Sequence, residues 1–213
     1  MLVEQHDEFH YITVMNENHA QAAVPAGDAG DIVRGMRRLA PPALVAKPRA
    51  RCVLAASGAI LQEALAAREL LAADYGVEAT VFSVTSWSEL ARDHAAWERR
   101  RLFGTEGDTL PHATALLAHT EGPILAASDY VRAVAESIRP AVPAGRRFAT
   151  LGTDGFGRSD SRAALRRFFE VDRRAIAARA LHALSEDGAQ PAKELRSALI
   201  WLGITDAGAA WTR

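Results

Sequence analysis

The sequence predicts an α/β fold, a three-layer α/β/α sandwich built on a largely parallel sheet. From Arg51 onward, short apolar runs alternate with longer segments whose apolar residues recur at helical spacing. Alternation of this kind is typical of βαβ units, and right-handed crossovers then place helices on both faces of the sheet. With 213 residues, 49% of them hydrophobic, the chain can bury one full core.

The first fifty residues are less regular. The run 9–14 is rich in aromatic and β-branched residues and is predicted to be a strand. Residues 16–30 are small and polar and have the composition of a linker. A short amphipathic helix is predicted over 31–39, where apolar residues recur at helical spacing, and Pro41 ends it.

Strands and helices alternate after residue 51. Short apolar runs predict strands over 52–56, 77–84, 124–127 and 148–151. Helical periodicity over 60–71 follows the first of them. Ser86 or Ser88 is expected to cap the helix after the second strand, and Glu89 completes a capping-box pattern with Ser86.

The second half of the chain continues this pattern. A short helix is predicted within 104–122. After the third strand, Ser128 or Asp129 is expected to cap a helix that includes Tyr130. Three further helices are predicted over 160–169, around 176–184, and from Pro191 to Gly203.

Charge and composition exclude several classes of function. The formal net charge is −1, so no global positive field attracts nucleic acid or an anionic membrane. Cys52 is the only cysteine, which excludes an internal disulfide framework and fits a cytoplasmic setting. No stretch approaches the roughly 20 apolar residues that span a bilayer. We therefore expect neither nucleic acid nor a membrane as partner.

The stretch 152–162, GTDGFGRSDSR, carries three glycines and two arginines between a predicted strand and a predicted helix. Strand-to-helix crossovers of α/β folds are where ligands and partners usually bind. Gly155-Phe156-Gly157 begins like a dinucleotide-binding fingerprint, but Asp160 occupies the third glycine position. The chain also has no Gly-Lys-Ser/Thr sequence, which excludes a Walker loop.

Two interpretations of this stretch remain open. In the structural one, the glycines supply positive φ, Asp160 caps the next helix, and Arg158 or Arg162 pairs with Asp154 or Asp160. In the functional one, the loop contacts a partner or an anion through its two arginines. The candidate contact residues are Asp154, Arg158, Ser159, Asp160 and Arg162.

Other chemistry has weaker signals. His6 and His10 have the spacing of two metal ligands on a helix, but the strand-like run after them argues against a helix and no third ligand is suggested. His112 and His119 leave a weak site hypothesis open in the region that is hardest to assign. No Gly-x-Ser-x-Gly elbow occurs. Trp211, near the end of the sequence, is the tryptophan expected to meet a partner chain.

A series of motifs runs in order along nearly the whole chain. They are GTDGFGRSDSR, Tyr11-Ile12-Thr13 to Asn16-Glu17-Asn18, Val84-Thr85-Ser86, Glu89 to Asp93, Ala127 to Tyr130, and Phe168 to Asp172. Together they resemble the C-terminal part of the homodimeric, bacterial-type pyruvate dehydrogenase decarboxylating component. More broadly, the pattern is similar to the C-terminal domain of transketolases.

The resemblance implies a transketolase-type C-terminal domain over 49–213 with a five-stranded mixed sheet. Residues 1–48 would be the end of a preceding pyrimidine-binding domain and a linker arm. The family depends on thiamine diphosphate and Mg²⁺, decarboxylates a 2-oxo acid and acylates a lipoyl group. Its metal motif, Gly-Asp-Gly followed by asparagine, has no match, because Asn16 and Asn18 are the only asparagines. We therefore expect this chain alone neither to bind the cofactor nor to catalyse the reaction.

The implied partners are the remaining domains of the dehydrogenase component, a second copy in a homodimer, and the lipoyl acyltransferase of the complex. The domain would then support dimerisation and the architecture of the active site. The same domain of another 2-oxo acid dehydrogenase, or of a transketolase, is an alternative. A third hypothesis is a stand-alone interaction or anion-binding module that uses Arg158 and Arg162.

Overall fold

The computed structural model describes residues 27–39, 45–105, 109–189 and 192–204, together with 7, 9, 17–19, 23–25 and 107. Several predictions therefore fall outside the described residues. They concern His6 and His10, the strand predicted over 9–14 apart from Phe9, Pro41 as a helix stop, Pro191 as a helix start, and Trp211.

Five strands and eight α-helices make up the described part of the chain. The strands are β1 (Met36–Arg38), β2 (Ala50–Ala56), β3 (Val77–Val84), β4 (Ile124–Ala127) and β5 (Phe148–Leu151). The helices are α1 (Ala29–Val33), α2 (Ile60–Tyr75), α3 (Trp87–Leu102), α4 (His112–Ala118), α5 (Arg132–Glu136), α6 (Arg162–Phe168), α7 (Arg173–Glu186) and α8 (Ala192–Leu202).

The strands form one mixed sheet in the order β1-β3-β2-β4-β5. β2, β3, β4 and β5 are parallel, and β1 pairs antiparallel with β3 at one edge. In the register, Ala56 lies opposite Ser83 and Ala127, and Ala127 lies opposite Leu151. The carboxyl ends of β2, β4 and β5 therefore meet at one edge of the sheet, where ligands of open α/β sheets bind.

Hydrophobic cores lie on both faces of the sheet, which confirms the three-layer sandwich. One core packs Cys52, Leu54 and Ala56 of β2 against α2, α7 and α8. The other packs Val53 and Ala55 against α3, α4 and α5. Because β2 is covered on both sides, its sequence is a continuous apolar run rather than an alternating one. No described helix has the length and apolar character needed to cross a membrane.

The helix predicted over 31–39 was wrong in its second half. Helix α1 ends at Val33, and Gly35 has a φ of 100°, in the left-handed region. A Cβ at Gly35 would lie 2.7 Å from the carbonyl oxygen of Ser86. The chain then enters β1, where Met36 pairs with Val84 and is fully buried. Pairing with the edge of the sheet outweighs the local helical periodicity, as tertiary context often does.

The capping predictions gave mixed results. Ser86 caps α3, since its Oγ accepts a hydrogen bond from the Glu89 N–H at 3.1 Å. Helix α5 begins only at Arg132 and has no side-chain cap, so the predicted cap at Ser128 or Asp129 was wrong. Ser128 Oγ instead accepts from the N–H of Tyr130 at 3.0 Å, which forms a turn.

Helix α6 also begins later than predicted. It starts at Arg162, and its cap is Ser161, whose Oγ accepts from the Ala164 N–H at 3.3 Å. Asp160, the predicted cap, accepts from the adjacent Ser161 N–H at 2.6 Å. The short helix predicted within 104–122 is present as α4.

Candidate functional site

A cleft of about 580 Å³ opens at the carboxyl edge of the sheet. Its walls come from the start of α2, the loops after β4 and β5, helix α6, and Glu17 from the N-terminal segment. The loop after β5 is the GTDGFGRSDSR stretch, so the structure places that motif at the cleft. Pockets of 300–1,000 Å³ at such edges are typical of small-molecule sites in α/β proteins.

The loops after β4 and β5 are tied to each other by their backbones. The Thr153 N–H donates to the Tyr130 carbonyl at 2.9 Å, and Thr153 Oγ1 donates to the Asp129 carbonyl at 2.6 Å. A Cβ at Gly152 would lie 2.6 Å from the Tyr130 oxygen and 2.7 Å from the Arg132 nitrogen. Gly152 is therefore needed for close backbone approach, without any requirement for positive φ.

The other two glycines of the motif differ from Gly152. Gly155 has a φ of 97°, in the left-handed region that favours glycine. Gly157 has no positive φ, and nothing lies within 4 Å of a Cβ built on it. The expectation that the glycines supply positive φ is thus confirmed for Gly155 only. Between them, Phe156 projects from the loop with 92% of its surface exposed.

Asp154 links the two loops electrostatically. Its Oδ1 accepts from the Arg132 N–H at 2.9 Å, and its Oδ2 accepts from the Arg132 guanidinium. Burial by itself would raise the pKa of Asp154. The hydrogen bonds and the charge of Arg132 have the larger combined effect, so the pKa lies below its ordinary value. The sequence prediction paired this carboxylate with Arg158 or Arg162. Its partner is Arg132, which the chain brings near only through the contact between the loops.

The remaining predicted site residues take different positions. Arg158 and Arg162 both line the cleft. The Arg158 guanidinium lies over the Phe168 ring, 5.0 Å from its centroid. Ser159 and Asp160 are exposed and lie outside the set of residues that line the cleft. The cleft thus brings together the two arginines of the predicted set. Asp154 is not in the cleft lining, and its carboxylate instead accepts hydrogen bonds from Arg132.

Arg166 is a third arginine that lines the cleft, and it was not among the predicted site residues. Its Nη2 donates to Glu17 Oε2 at 2.7 Å, and its Nη1 lies 3.5 Å from Glu63 Oε1. Arg162 Nε lies 3.5 Å from the same Glu17 oxygen. The sequence does contain a signal for this pair of arginines, because positions 162 and 166 are four apart and therefore share one face of a helix.

Glu63 was also missed, although it anchors the wall behind Arg166. It is 6% exposed, and its Oε2 accepts from the Arg173 N–H at 3.0 Å and from Arg173 Nε at 2.9 Å. Burial raises the pKa of Glu63, but the hydrogen bonds from Arg173 outweigh it and lower the pKa. Glu63 follows Ile60 by three positions on the buried face of α2, and an acid on such a face requires a partner.

Buried hydroxyl groups join the ends of β2 and β4 beside the cleft. Ser57 Oγ donates to Ser128 Oγ at 3.1 Å, and Trp87 Nε1 donates to Ser57 Oγ at 3.0 Å. Since Ser128 Oγ also accepts from the Tyr130 N–H, both hydroxyls are engaged in hydrogen bonds that fix the loop. These two serines therefore hold the loop backbone after β4 in place, which is a structural role.

His112 and His119, at which the sequence left a site hypothesis open, lie away from the residues that line the cleft. His112 is buried in α4 with its Nε2 2.7 Å from the Met36 carbonyl oxygen, where it joins α4 to β1. His119 is exposed at the end of α4. Neither lines the cleft.

The donor set of the cleft does not fit Mg²⁺ or the diphosphate-bound metal of a thiamine cofactor. Among the residues that the structure describes, no three His, Cys, Asp or Glu side chains come together as a metal site. Mg²⁺ is bound by carboxylates and other oxygens, whereas guanidinium groups of Arg158, Arg162 and Arg166 line this cleft. The cleft offers hydrogen-bond donors and positive charge, which suit carboxylates and phosphates.

Comparison with known proteins identifies a family profile, curated relatives and solved structures that are similar to this chain. A family profile described as the transketolase-like TK C-terminal domain matches residues 43–172. The pyruvate dehydrogenase E1 component of Cupriavidus necator is 46% identical over 190 residues, which are 89% of this chain and 21% of that protein. The protein of the same name from Pseudomonas aeruginosa is 43% identical over 205 residues, 96% of this chain and 23% of its own length.

The chain thus spans about a fifth of the length of these relatives. Among solved structures, a transketolase from Leishmania mexicana is 20% identical and has a TM-score of 0.47. That alignment covers 78% of this chain and 21% of the transketolase chain.

Proposed function

This chain belongs to the family of transketolase-like C-terminal domains, and we propose that it serves as that domain in a pyruvate dehydrogenase component. The observation that carries the proposal is the 46% identity over 89% of the chain to a protein named for that enzyme. We propose residues 49–213 as the domain and 1–48 as the end of the preceding domain with its linker arm. The whole enzyme would decarboxylate pyruvate or another 2-oxo acid and acylate a lipoyl group.

In this proposal the chain supplies architecture rather than chemistry. Thiamine diphosphate and Mg²⁺ would be held by the other domains of the enzyme, because the cleft described above lacks a suitable donor set. The domain would support the homodimer and the active-site entrance, and the acyltransferase that carries the lipoyl group would be a partner of the whole component. The setting would be cytoplasmic.

An exposed apolar patch supports a role in domain contact. Three exposed apolar side chains, here called the carboxyl-edge patch, lie on the loops after β4 and β5: Tyr130, Val131 and Phe156. Tyr130 is 58% exposed and Phe156 is 92% exposed, and the two loops are joined by the Thr153–Tyr130 hydrogen bond. Large exposed aromatic side chains at one site are typical of protein interfaces. We propose that the remaining domains of the dehydrogenase component cover this patch.

The patch predicts the result of an association experiment. Phe156→Ala should weaken binding to the separately expressed remaining domains about tenfold or more, because an aromatic anchor in an interface contributes on the order of 2 kcal/mol. Calorimetric titration measures the affinity. Leu102→Ala is the matched control, since Leu102 is also exposed but lies at the end of α3. Equal affinities of wild type and Phe156→Ala would show that the carboxyl-edge patch does not take part in the interface.

The arginine-lined cleft favours a second candidate function, a stand-alone interaction or anion-binding module without a catalytic role, which would use Arg158 and Arg162. The same titration separates the two, using the double charge reversal Arg158→Glu and Arg162→Glu. If association with the dehydrogenase domains or with the acyltransferase is unchanged by the double reversal, these two arginines are not the contact. Loss of association in both this variant and Phe156→Ala assigns the whole loop to the interface.

The proposal also predicts the behaviour of the isolated chain toward the cofactor. Titration of thiamine diphosphate with Mg²⁺ into the 213-residue chain should give no binding heat, and the chain alone should not decarboxylate pyruvate. Addition of the remaining domains should restore both, because the metal ligands lie there. Circular dichroism of the same sample confirms that the chain is folded. Measurable binding of thiamine diphosphate by the chain alone contradicts this division of roles.

A further inference from the structure

Positive charge converges on one wall of the cleft. Arg158, Arg162 and Arg166 line it, and among the residues that the structure describes only two carboxylates join them, those of Glu17 and Asp129. Guanidinium groups have a planar fork of donors that matches a carboxylate. The floor is apolar and includes Ile60, Leu165 and Phe169. A ligand suited to this cleft therefore has one or two carboxylates on a small apolar body.

Glu17 shows how the wall receives a carboxylate. Its Oε2 accepts from Arg166 Nη2 at 2.7 Å and lies 3.5 Å from Arg162 Nε. The hydrogen bond from Arg166 lowers the pKa of the Glu17 carboxyl, so this group is charged at neutral pH. Glu17 comes from the N-terminal segment, 149 positions before Arg166. One side chain of this molecule thus already occupies the arginine wall as a carboxylate.

The contact between Glu17 and Arg166 is partly open to solvent. The side chain of Glu17 is 26% exposed and that of Arg166 is 16% exposed. Solvent screens an ion pair that is partly exposed, so the pair contributes little to stability. Arg166 Nη1 also lies 3.5 Å from Glu63 Oε1, a second contact of the guanidinium that does not involve Glu17.

We propose that this cleft is a binding site for small organic carboxylates and that Glu17 is its exchangeable internal occupant. A carboxylate ligand would replace Glu17 at Arg166 and Arg162, with its apolar part over Ile60 and Phe169. Release of Glu17 would in turn detach the segment 17–19 from α6. This inference depends on the cleft alone and holds whether or not the chain functions in a dehydrogenase.

The test is a titration of the full chain with succinate, followed by calorimetry and by amide chemical shifts in NMR spectra. Glu17→Gln should bind succinate about threefold to tenfold more tightly than wild type, because the internal competitor is removed. Glu69→Gln is the control, since Glu69 is an exposed acid that pairs with Arg68 far from the cleft. The shifts should include the amides of Gly155 and Gly157, which line the cleft.

Two further arms complete the test. Arg162→Gln, made in the Glu17→Gln background, should reduce succinate affinity, and inorganic phosphate should bind more weakly than succinate because it gains nothing from the apolar floor. Unchanged thermal unfolding of each variant shows that folding is retained. Equal succinate affinity of wild type and Glu17→Gln, or no binding by either at millimolar concentration, overturns the proposal. Phosphate binding as tight as succinate binding overturns the assignment to carboxylates.

Discussion

Glu63→Ala is expected to lower the free energy of unfolding by about 3 kcal/mol, because it removes a buried carboxylate that accepts charge-assisted hydrogen bonds. The Glu63 carboxylate accepts three hydrogen bonds from Arg173, one from its backbone and two from its guanidinium. It also lies near Arg166, which lines the cleft. Urea unfolding followed by circular dichroism measures the change.

A matched control separates this effect from general loss of charge on α2. Glu69→Ala removes an exposed acid from the same helix, and its unfolding free energy should stay within about 0.5 kcal/mol of wild type. Glu63→Gln keeps the shape of the side chain and removes only the charge, so it should lie between the wild type and Glu63→Ala. If Glu63→Ala unfolds like Glu69→Ala, the Arg173 contacts do not stabilise the fold.

The pH dependence of the same proteins follows from the lowered pKa of Glu63. The folded protein holds this carboxyl below its ordinary pKa of 4.5, so the unfolded chain binds a proton more readily. The contribution is therefore fully present above the unfolded pKa and is lost as pH falls through the folded pKa. The difference in stability between wild type and Glu63→Gln should shrink as the pH is lowered below about 4.5.

Gly152→Ala is expected to lower the free energy of unfolding by about 2–3 kcal/mol, which is the second large effect that we predict. The added Cβ would lie 2.6 Å from the Tyr130 carbonyl oxygen, 2.7 Å from the Arg132 nitrogen and 3.0 Å from the Arg132 Cα. All three atoms belong to the backbone, so no flexible side chain can move aside. The loops after β4 and β5 must separate, and the Thr153–Tyr130 hydrogen bond should weaken.

The same loop offers the control for this substitution. Gly157→Ala adds the same methyl group where nothing lies within 4 Å and where φ is not positive. It should leave stability unchanged or raise it by a few tenths of a kcal/mol, because alanine reduces the freedom of the unfolded chain. Thermal and urea unfolding of the two variants, side by side, measure the difference. Similar destabilisation by both would contradict the role of close approach at Gly152.

Local patterns in the sequence were sufficient for most elements of the fold. The apolar runs at 52–56 and 124–127 predicted β2 and β4, because strands buried on both faces must be continuously apolar. Ser86 with Glu89 predicted the start of α3, since a cap is a contact between residues three positions apart. The motif 152–162 likewise marked the carboxyl edge of the sheet, because a glycine-rich turn directly follows a strand there.

Contacts between distant parts of the chain were not predictable in this way. Nothing local shows that Asp154 pairs with Arg132, that Glu17 reaches Arg166, or that Met36 extends an edge strand.

The sequence alone therefore established the order of strands and helices from residue 51 onward, the family resemblance and the motif at the cleft, because each depends on neighbours along the chain. Only the tertiary structure showed which group each charged side chain pairs with. It also showed why the backbone requires glycine at positions such as Gly152 and Gly155. Those properties depend on which backbone and which charge lie within about 3 Å in space, a distance that sequence separation does not set.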